Sequence, residues 1–234
     1  MAIFAPGSKG NKAPVRVING LNTQLNLPSG IDIDSHGNIY AANGLSESIT
    51  IYGPSSDGNE GPIAIISGPA TSLNGPLSVK LDPADQIWVA NAAGNSVNVY
   101  PAGSNGNVAP IVSIQGNATG LNGPVDVELD SQGNIYVANF LGDSIVVFPA
   151  GSDGDVVPGA LINGATTTLF GPAGLVVDHS GNIFVTNSIT FAPDAIPSIA
   201  KFAPGSNGDV APVSVIVGDR TGLSWPFGLA LHRF

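Results

Sequence analysis

Short apolar runs separated by clusters of Gly, Asn, Asp, Ser and Pro recur along the whole chain. Between residues 77 and 116 they read LSVKLD, IWVAN, SVNVYP and PIVSIQG, the spacing of four consecutive antiparallel strands. In the second run of each set the pattern has period two. Tyr40, Trp88, Tyr136 and Phe184 take one face, while Ile39 and Ala41, Ile87 and Val89, Ile135 and Val137, and Ile183 and Val185 take the other. Both faces are apolar, so both must be covered.

The pattern repeats. NIYAAN, QIWVAN, NIYVAN and NIFVTN end in Asn43, Asn91, Asn139 and Asn187 at intervals of 48, and Pro28, Pro76, Pro124, Pro172 and Pro226 recur at 48, 48, 48 and 54. Phe4, Tyr52, Tyr100, Phe148 and Phe202 keep the same four intervals. Four-stranded units that are apolar on both flanks hide those flanks by stacking radially, which predicts an all-β propeller. The repeats run over about 31–76, 77–124, 125–172 and 173–226 of a single domain. Registering the ends leaves repeat positions 37–48 unfilled, a second strand and the loop after it. Five blades are expected if the ring closes by pairing of the terminal strands, the fifth being built from 227–234 and 1–30 with one strand fewer. A piece of a larger ring is the competing arrangement.

The turns agree with this reading. Asp34-Ser-His-Gly-Asn38, Asp130-Ser-Gln-Gly-Asn134 and Asp178-His-Ser-Gly-Asn182 join first to second strands as tight hairpins. Gly-rich loops ending in Pro14, Pro62, Pro110, Pro158 and Pro212 precede the outermost strands, where a missing N–H is tolerated.

Composition narrows the function. Gly (31) and Pro (19) are too abundant for long helices, and the absence of Cys removes disulfides, thiolate nucleophiles and zinc–thiolate sites. A net charge of -10 repels phosphate backbones and anionic membranes, which excludes nucleic acid. No apolar run approaches the roughly 18 residues of a membrane span, and MAIFAPGSKG lacks the pattern of a signal peptide. The compartment stays open.

The strings PSGIDIDSHGNIY (28–40) and PVDVELDSQGNIYVAN (124–139) resemble the NHL-repeat and YVTN-like β-propeller families. That resemblance implies a propeller fold and a group containing interaction modules, lyases and relatives of gluconolactonases. Many NHL repeats carry an Asp after the second strand and an Arg in the third; this chain has Asn43, Asn91, Asn139 and Asn187 and no such Arg.

In propellers the loops joining second to third strands, and each blade's fourth strand to the next blade's first, share one face. Phe140, Phe170, Trp225 and Phe227 fall in or beside those loops and are expected to anchor a ligand. The Asn43, Asn91, Asn139 and Asn187 ring reads either as part of that face or as turn chemistry. Between Asn187 and Ser198 there are 11 steps where other units have 5, so Phe191 and Asp194 lie on an insertion suited to a lid or to a neutral loop. Inward positions of the first strands are Asp32, Lys80, Glu128, Val176 and Ala230, and Lys80 between two carboxylates reads as a salt-bridged plug. Asp126 and Glu128 are the candidate acid/base pair.

The serine after Gly7, Gly103, Gly151 and Gly205 recurs in a turn and is no nucleophile elbow. His36, His179 and His232 are too scattered for a metal site. The expected function is a non-catalytic propeller that binds a protein, peptide or carbohydrate on its loop-rich face, with no cofactor. The alternative is a metal-assisted lyase or lactone hydrolase holding a divalent ion through Asp126, Asp194, Asn91 and Asn139.

Overall fold

A computed structural model describes residues 1–188 and 196–231, and each apolar run becomes a strand. The chain opens with β1 (Ala2–Ile3) and β2 (Arg16–Val17), a two-stranded sheet. Blade one follows as β3 (Pro28–Ile33), β4 (Ile39–Asn43), β5 (Ser48–Tyr52) and β6 (Ala64–Ile66). Blade two comprises β7 (Pro76–Leu81), β8 (Ile87–Asn91), β9 (Ser96–Tyr100) and β10 (Val112–Gln115). Blade three comprises β11 (Pro124–Leu129), β12 (Ile135–Asn139), β13 (Ser144–Phe148) and β14 (Ala160–Ile162). Blade four is formed by β15 (Pro172–Val177), β16 (Ile183–Asn187), β17 (Ser198–Phe202) and β18 (Ser214–Val217). Each blade is an antiparallel meander in chain order, and the described helices are single 3-10 turns.

The repeat register is the packing register. Ile39 opposes Tyr52, Ile87 opposes Tyr100, Ile135 opposes Phe148 and Ile183 opposes Phe202. Those four third-strand aromatics are fully buried between blades, as are Ile18, Ile66, Ile114 and Ile162 of the outer strands. A clasp joins neighbouring blades at the rim: parallel bridges link Ile18 to Gly58, Ile66 to Gly106, Ile114 to Gly154 and Ile162 to Gly208. Beside each bridge, Asn59, Asn107, Asp155 or Asp209 accepts a backbone N–H from the turn after the previous blade's outer strand at 2.7–2.8 Å.

Inner strands touch backbone to backbone. A Cβ on Gly30 would lie 2.7 Å from Leu77 O, so only glycine permits β3 and β7 to approach this closely. Likewise a Cβ on Gly174 would lie 2.3 Å from Phe227 O, which places residues 227–229 against β15 as a fifth inner segment. Among the described residues no hydrogen bond joins that segment to β1, the seam expected from the sequence. The half-blade β1–β2 packs on blade one, with Met1, Ile3 and Leu25 against Ile18, Ile39, Ala41 and Tyr52.

Candidate functional site

Positions 32, 80, 128, 176 and 230 line the central channel, as their alternation requires. Lys80 Nζ lies 2.8 Å from Glu128 Oε2, and Glu128 is buried. Burial would lower the Lys80 pKa, but the adjacent Glu128 charge, with Asp32 and Asp126 beyond it, raises it, so the amine stays protonated. Asp32 Oδ2 accepts the Leu81 N–H at 2.7 Å, tying blade one to blade two beside this plug.

Asp126 turns away from Glu128's partner. A register shift between Pro124 and Asp126 aims its carboxylate sideways between blades. Oδ1 accepts Ser78 Oγ–H at 2.7 Å and the Val127 N–H at 3.0 Å, and Oδ2 accepts the Leu175 N–H at 2.8 Å. One side chain therefore stitches blades two, three and four. Desolvation outweighs these bonds and pushes its pKa up to about 6. The candidate acid/base pair is thus engaged on both sides, Asp126 by three donors and Glu128 by Lys80.

Above the plug, at the end formed by first-to-second strand hairpins, the channel opens into a cavity of about 800 Å³. Its rim carries Asp34, Asp82, Asp85, Asp130 and Asp178. Four of these carboxylates serve their own hairpins. Asp34 accepts the His36 and Asn38 N–H groups at 2.9 and 2.8 Å and Asn38 Nδ2 at 2.8 Å, and Asp82, Asp130 and Asp178 cap equivalent turns. Burial alone would raise Asp34, Asp130 and Asp178, but these bonds hold all three below the usual carboxylate pKa. Tyr40, Trp88 and Tyr136 reach back to the same carboxylates, so the aromatic set is partly core and partly turn support.

At the opposite end, the structure corrects the reading of the Asn ring as part of the ligand face. Asn43, Asn91, Asn139 and Asn187 are at most 2% exposed, and each Oδ1 accepts the N–H of Asn26, Asn74, Asn122 or Phe170 at 3.1–3.2 Å. Their amides donate inward, Asn139 to Gly120 O and Ser144 Oγ, and Asn187 to Thr168 O and Ser198 Oγ. A buried Asn that satisfies the strand-to-loop corner has nothing left for a ligand.

The aromatics divide. Phe140 and Phe170 are half-buried, Phe140 packing on the core between blades three and four, whereas Trp225 is 63% and Phe227 43% exposed. Phe191 and Asp194 lie outside the described residues. The sequence reading also missed Leu27, Leu45 and Leu141. Leu45 and Leu141 sit in second-to-third strand turns and are largely exposed, and Leu27 shares with Trp225 the slot before the repeat proline. In the three intervening repeats that slot is Gly75, Gly123 and Gly171, all with positive φ, and Leu27 (φ 53°) and Trp225 (φ 52°) adopt the same left-handed backbone despite their side chains. The 48-residue alignment shows the substitution; only the backbone shows that it is strained.

These blades, arranged around one channel, define a β-propeller. The chain is similar in fold to Kuenenia stuttgartiensis hydrazine synthase (TM-score 0.61, 16% identity, 85% of this chain and 51% of that one). It is also similar to a catalytically inactive virginiamycin B lyase from Staphylococcus aureus with quinupristin (0.59, 13%, 89% and 61%). A third similar structure is a putative 6-phosphogluconolactonase from Bacteroides uniformis (0.53, 17%, 79% and 55%). The chain spans between half and about three fifths of these structures. At such identities the likeness carries the fold alone. No protein-family model and no curated protein sequence matches the chain.

Proposed function

We propose that this chain is an NHL/YVTN-like propeller acting as a non-catalytic binding scaffold, which holds a protein, peptide or glycan on the face built by its second-to-third strand turns and interblade loops. The observation that carries this reading is the pair Leu27 and Trp225. A non-glycine residue in the left-handed region costs about 1–2 kcal/mol, and here that cost falls on two large apolar side chains presented to solvent, where three sister blades use glycine. Strain of this kind concentrates at functional surfaces. Leu45 and Leu141 extend the apolar character of the same face, and Phe227 is partly exposed two residues beyond Trp225.

The metal-assisted lyase or lactonase alternative is suggested by the lyase and the putative lactonase among the similar structures, yet Asp126 is committed to three internal donors and Asp194 lies outside the described residues. Peptide and glycan arrays test the binding reading. Trp225→Ala should weaken retained ligands at least about tenfold, in keeping with an aromatic anchor. Leu27→Gly should weaken them too while leaving the fold as stable or more so, by up to about 1 kcal/mol. Binding unchanged in both variants would refute the proposal.

A further inference from the structure

The second-to-third strand turns of blades one, two and three read Gly44-Leu-Ser-Glu47, Ala92-Ala-Gly-Asn95 and Phe140-Leu-Gly-Asp143. Their last residues share a left-handed backbone, with φ of 48°, 47° and 45°. Asn95 and Asp143 use that position to pin the next blade: Asn95 Oδ1 accepts the Gly123 N–H at 2.7 Å, and Asp143 Oδ1 accepts the Gly171 N–H at 2.7 Å. A neutral Asn makes the same bond at the same length, so the charge on Asp143 is not needed for it. Glu47 departs further. Left-handed backbone suits Asn and Asp better than a longer side chain, and among the described residues the exposed Glu47 carboxylate joins no hydrogen bond.

Two carboxylates that the turns do not require thus stand in an apolar setting. Leu45 and Leu141, two residues before them, are each 69% exposed, and Leu27, itself left-handed, is 57% exposed. A Cβ on Gly44 would lie within 3.9 Å of both Leu27 and Leu77. Leu77, Ala92 and Phe140 rest on one core cluster, so apolar surface runs from the blade one turn across blade two to Leu141. Of the described turns on this face only that at Asp219–Thr221 carries a Lys or Arg, and there Arg220 adjoins Asp219. Exposed apolar surface edged by fixed negative charge is complementary to a partner that joins apolar side chains to cations.

We infer, on the basis of the binding face proposed above, that its partner is a peptide segment rich in Lys or Arg and bearing one or two large apolar side chains. The apolar side chains seat on the band between Leu45 and Leu141, and the Glu47 and Asp143 carboxylates pair with the flanking ammonium or guanidinium groups. A neutral glycan offers these carboxylates no cation, and an acidic segment is repelled by them. The residues involved sit on turns of blades one to three, each of which has all four of its strands. An exposed ion pair is worth at most about fivefold in affinity and is screened by salt, so the apolar contacts hold the segment and the two carboxylates select it.

Labelled twelve-residue peptides with Leu or Phe at two positions and Lys, Gln or Glu at the others, titrated with the full chain and read by fluorescence anisotropy, test this. The Lys peptides should bind about tenfold tighter than the Gln peptides, with the gap closing as salt rises, and the Glu peptides should not bind. Glu47→Gln/Asp143→Asn keeps the turn bonds, as Asn95 shows, so its thermal melt should match the unaltered chain while its affinity for the Lys peptides falls about tenfold and that for the Gln peptides moves less than about twofold. Asp57→Asn/Glu60→Gln removes the same charge from the exposed rim loop between β5 and β6, where Asn105 shows that Asn serves, and should shift neither affinity by more than about twofold. Lys peptides that bind no tighter than the Gln or Glu peptides, that keep their affinity in the first variant, or that lose as much in the second would overturn the inference. A glycan retained through Trp225 and Leu27 in their place would also overturn it while leaving the binding face standing, whereas retention of neither peptide nor glycan would overturn both.

Discussion

Asp126→Asn separates the cost of burying a charge from the value of the bonds that surround it. Moving this carboxyl from its ordinary 3.8 to about 6 corresponds to about 3 kcal/mol of penalty on the ionised form. Because the folded pKa lies above the unfolded one, the folded chain holds the proton more tightly between those values. The stability lost through this group therefore grows as pH rises through that window, and the loss is complete above pH 6. In the variant, the amide oxygen can accept the Leu175 N–H and the amide nitrogen can donate to Ser78 Oγ, while the Val127 N–H loses its partner, at a cost of about 1 kcal/mol. At pH 8 the variant should be more stable by about 2 kcal/mol, and near pH 3 less stable by about 1 kcal/mol, with the sign changing at about pH 4.5. Urea unfolding across about pH 3–8, comparing midpoints at constant slope, reads this difference directly. A variant less stable by the same amount at every pH would show that the carboxylate is not desolvated and would refute the reasoning.

Three further outcomes follow from the same geometry. Asn139→Ala should cost about 2–3 kcal/mol, because the Asn122 N–H, the Gly120 carbonyl and the buried Ser144 hydroxyl all lose their partner; a neutral result in urea would return the Asn ring to the ligand face. Lys80→Ala should cost about 3–5 kcal/mol by leaving Glu128 buried without its cation, and Lys80→Met with Glu128→Leu should recover most of that loss. A double-mutant cycle showing simple additivity would contradict the plug. Gly174→Ala should cost about 1–3 kcal/mol through overpacking against Phe227 O and speed amide exchange at Leu229; unchanged exchange would mean that residues 227–229 do not lean on β15.

Much of the architecture was legible because each 48-residue unit states its own strands and turns. Alternation placed Lys80 and Glu128 in the channel, and the pair meets there. The Asn ring was legible as a pattern but not as a role, since an Asn at a strand end serves a turn or a ligand equally well until burial is known. Asp126 was read as Glu128's companion by period two, but a bulge after Pro124 swings it between blades, and no spacing reveals a bulge. Nor could the sequence show that the roomy end of the channel lies over the Asp hairpins, because cavity volume depends on how neighbouring loops lean together.

What the sequence by itself determined is the unit and its number: local hydrogen bonding and side-chain alternation act over a few residues, so they are written wherever the motif is written. What only the tertiary structure decided is where identical positions become different. Ile162 is sealed and Ile216 is open, and Gly75 rests in a conformation that strains Trp225. Burial and strain belong to the backbone and the neighbours a position meets, which a repeated motif does not record.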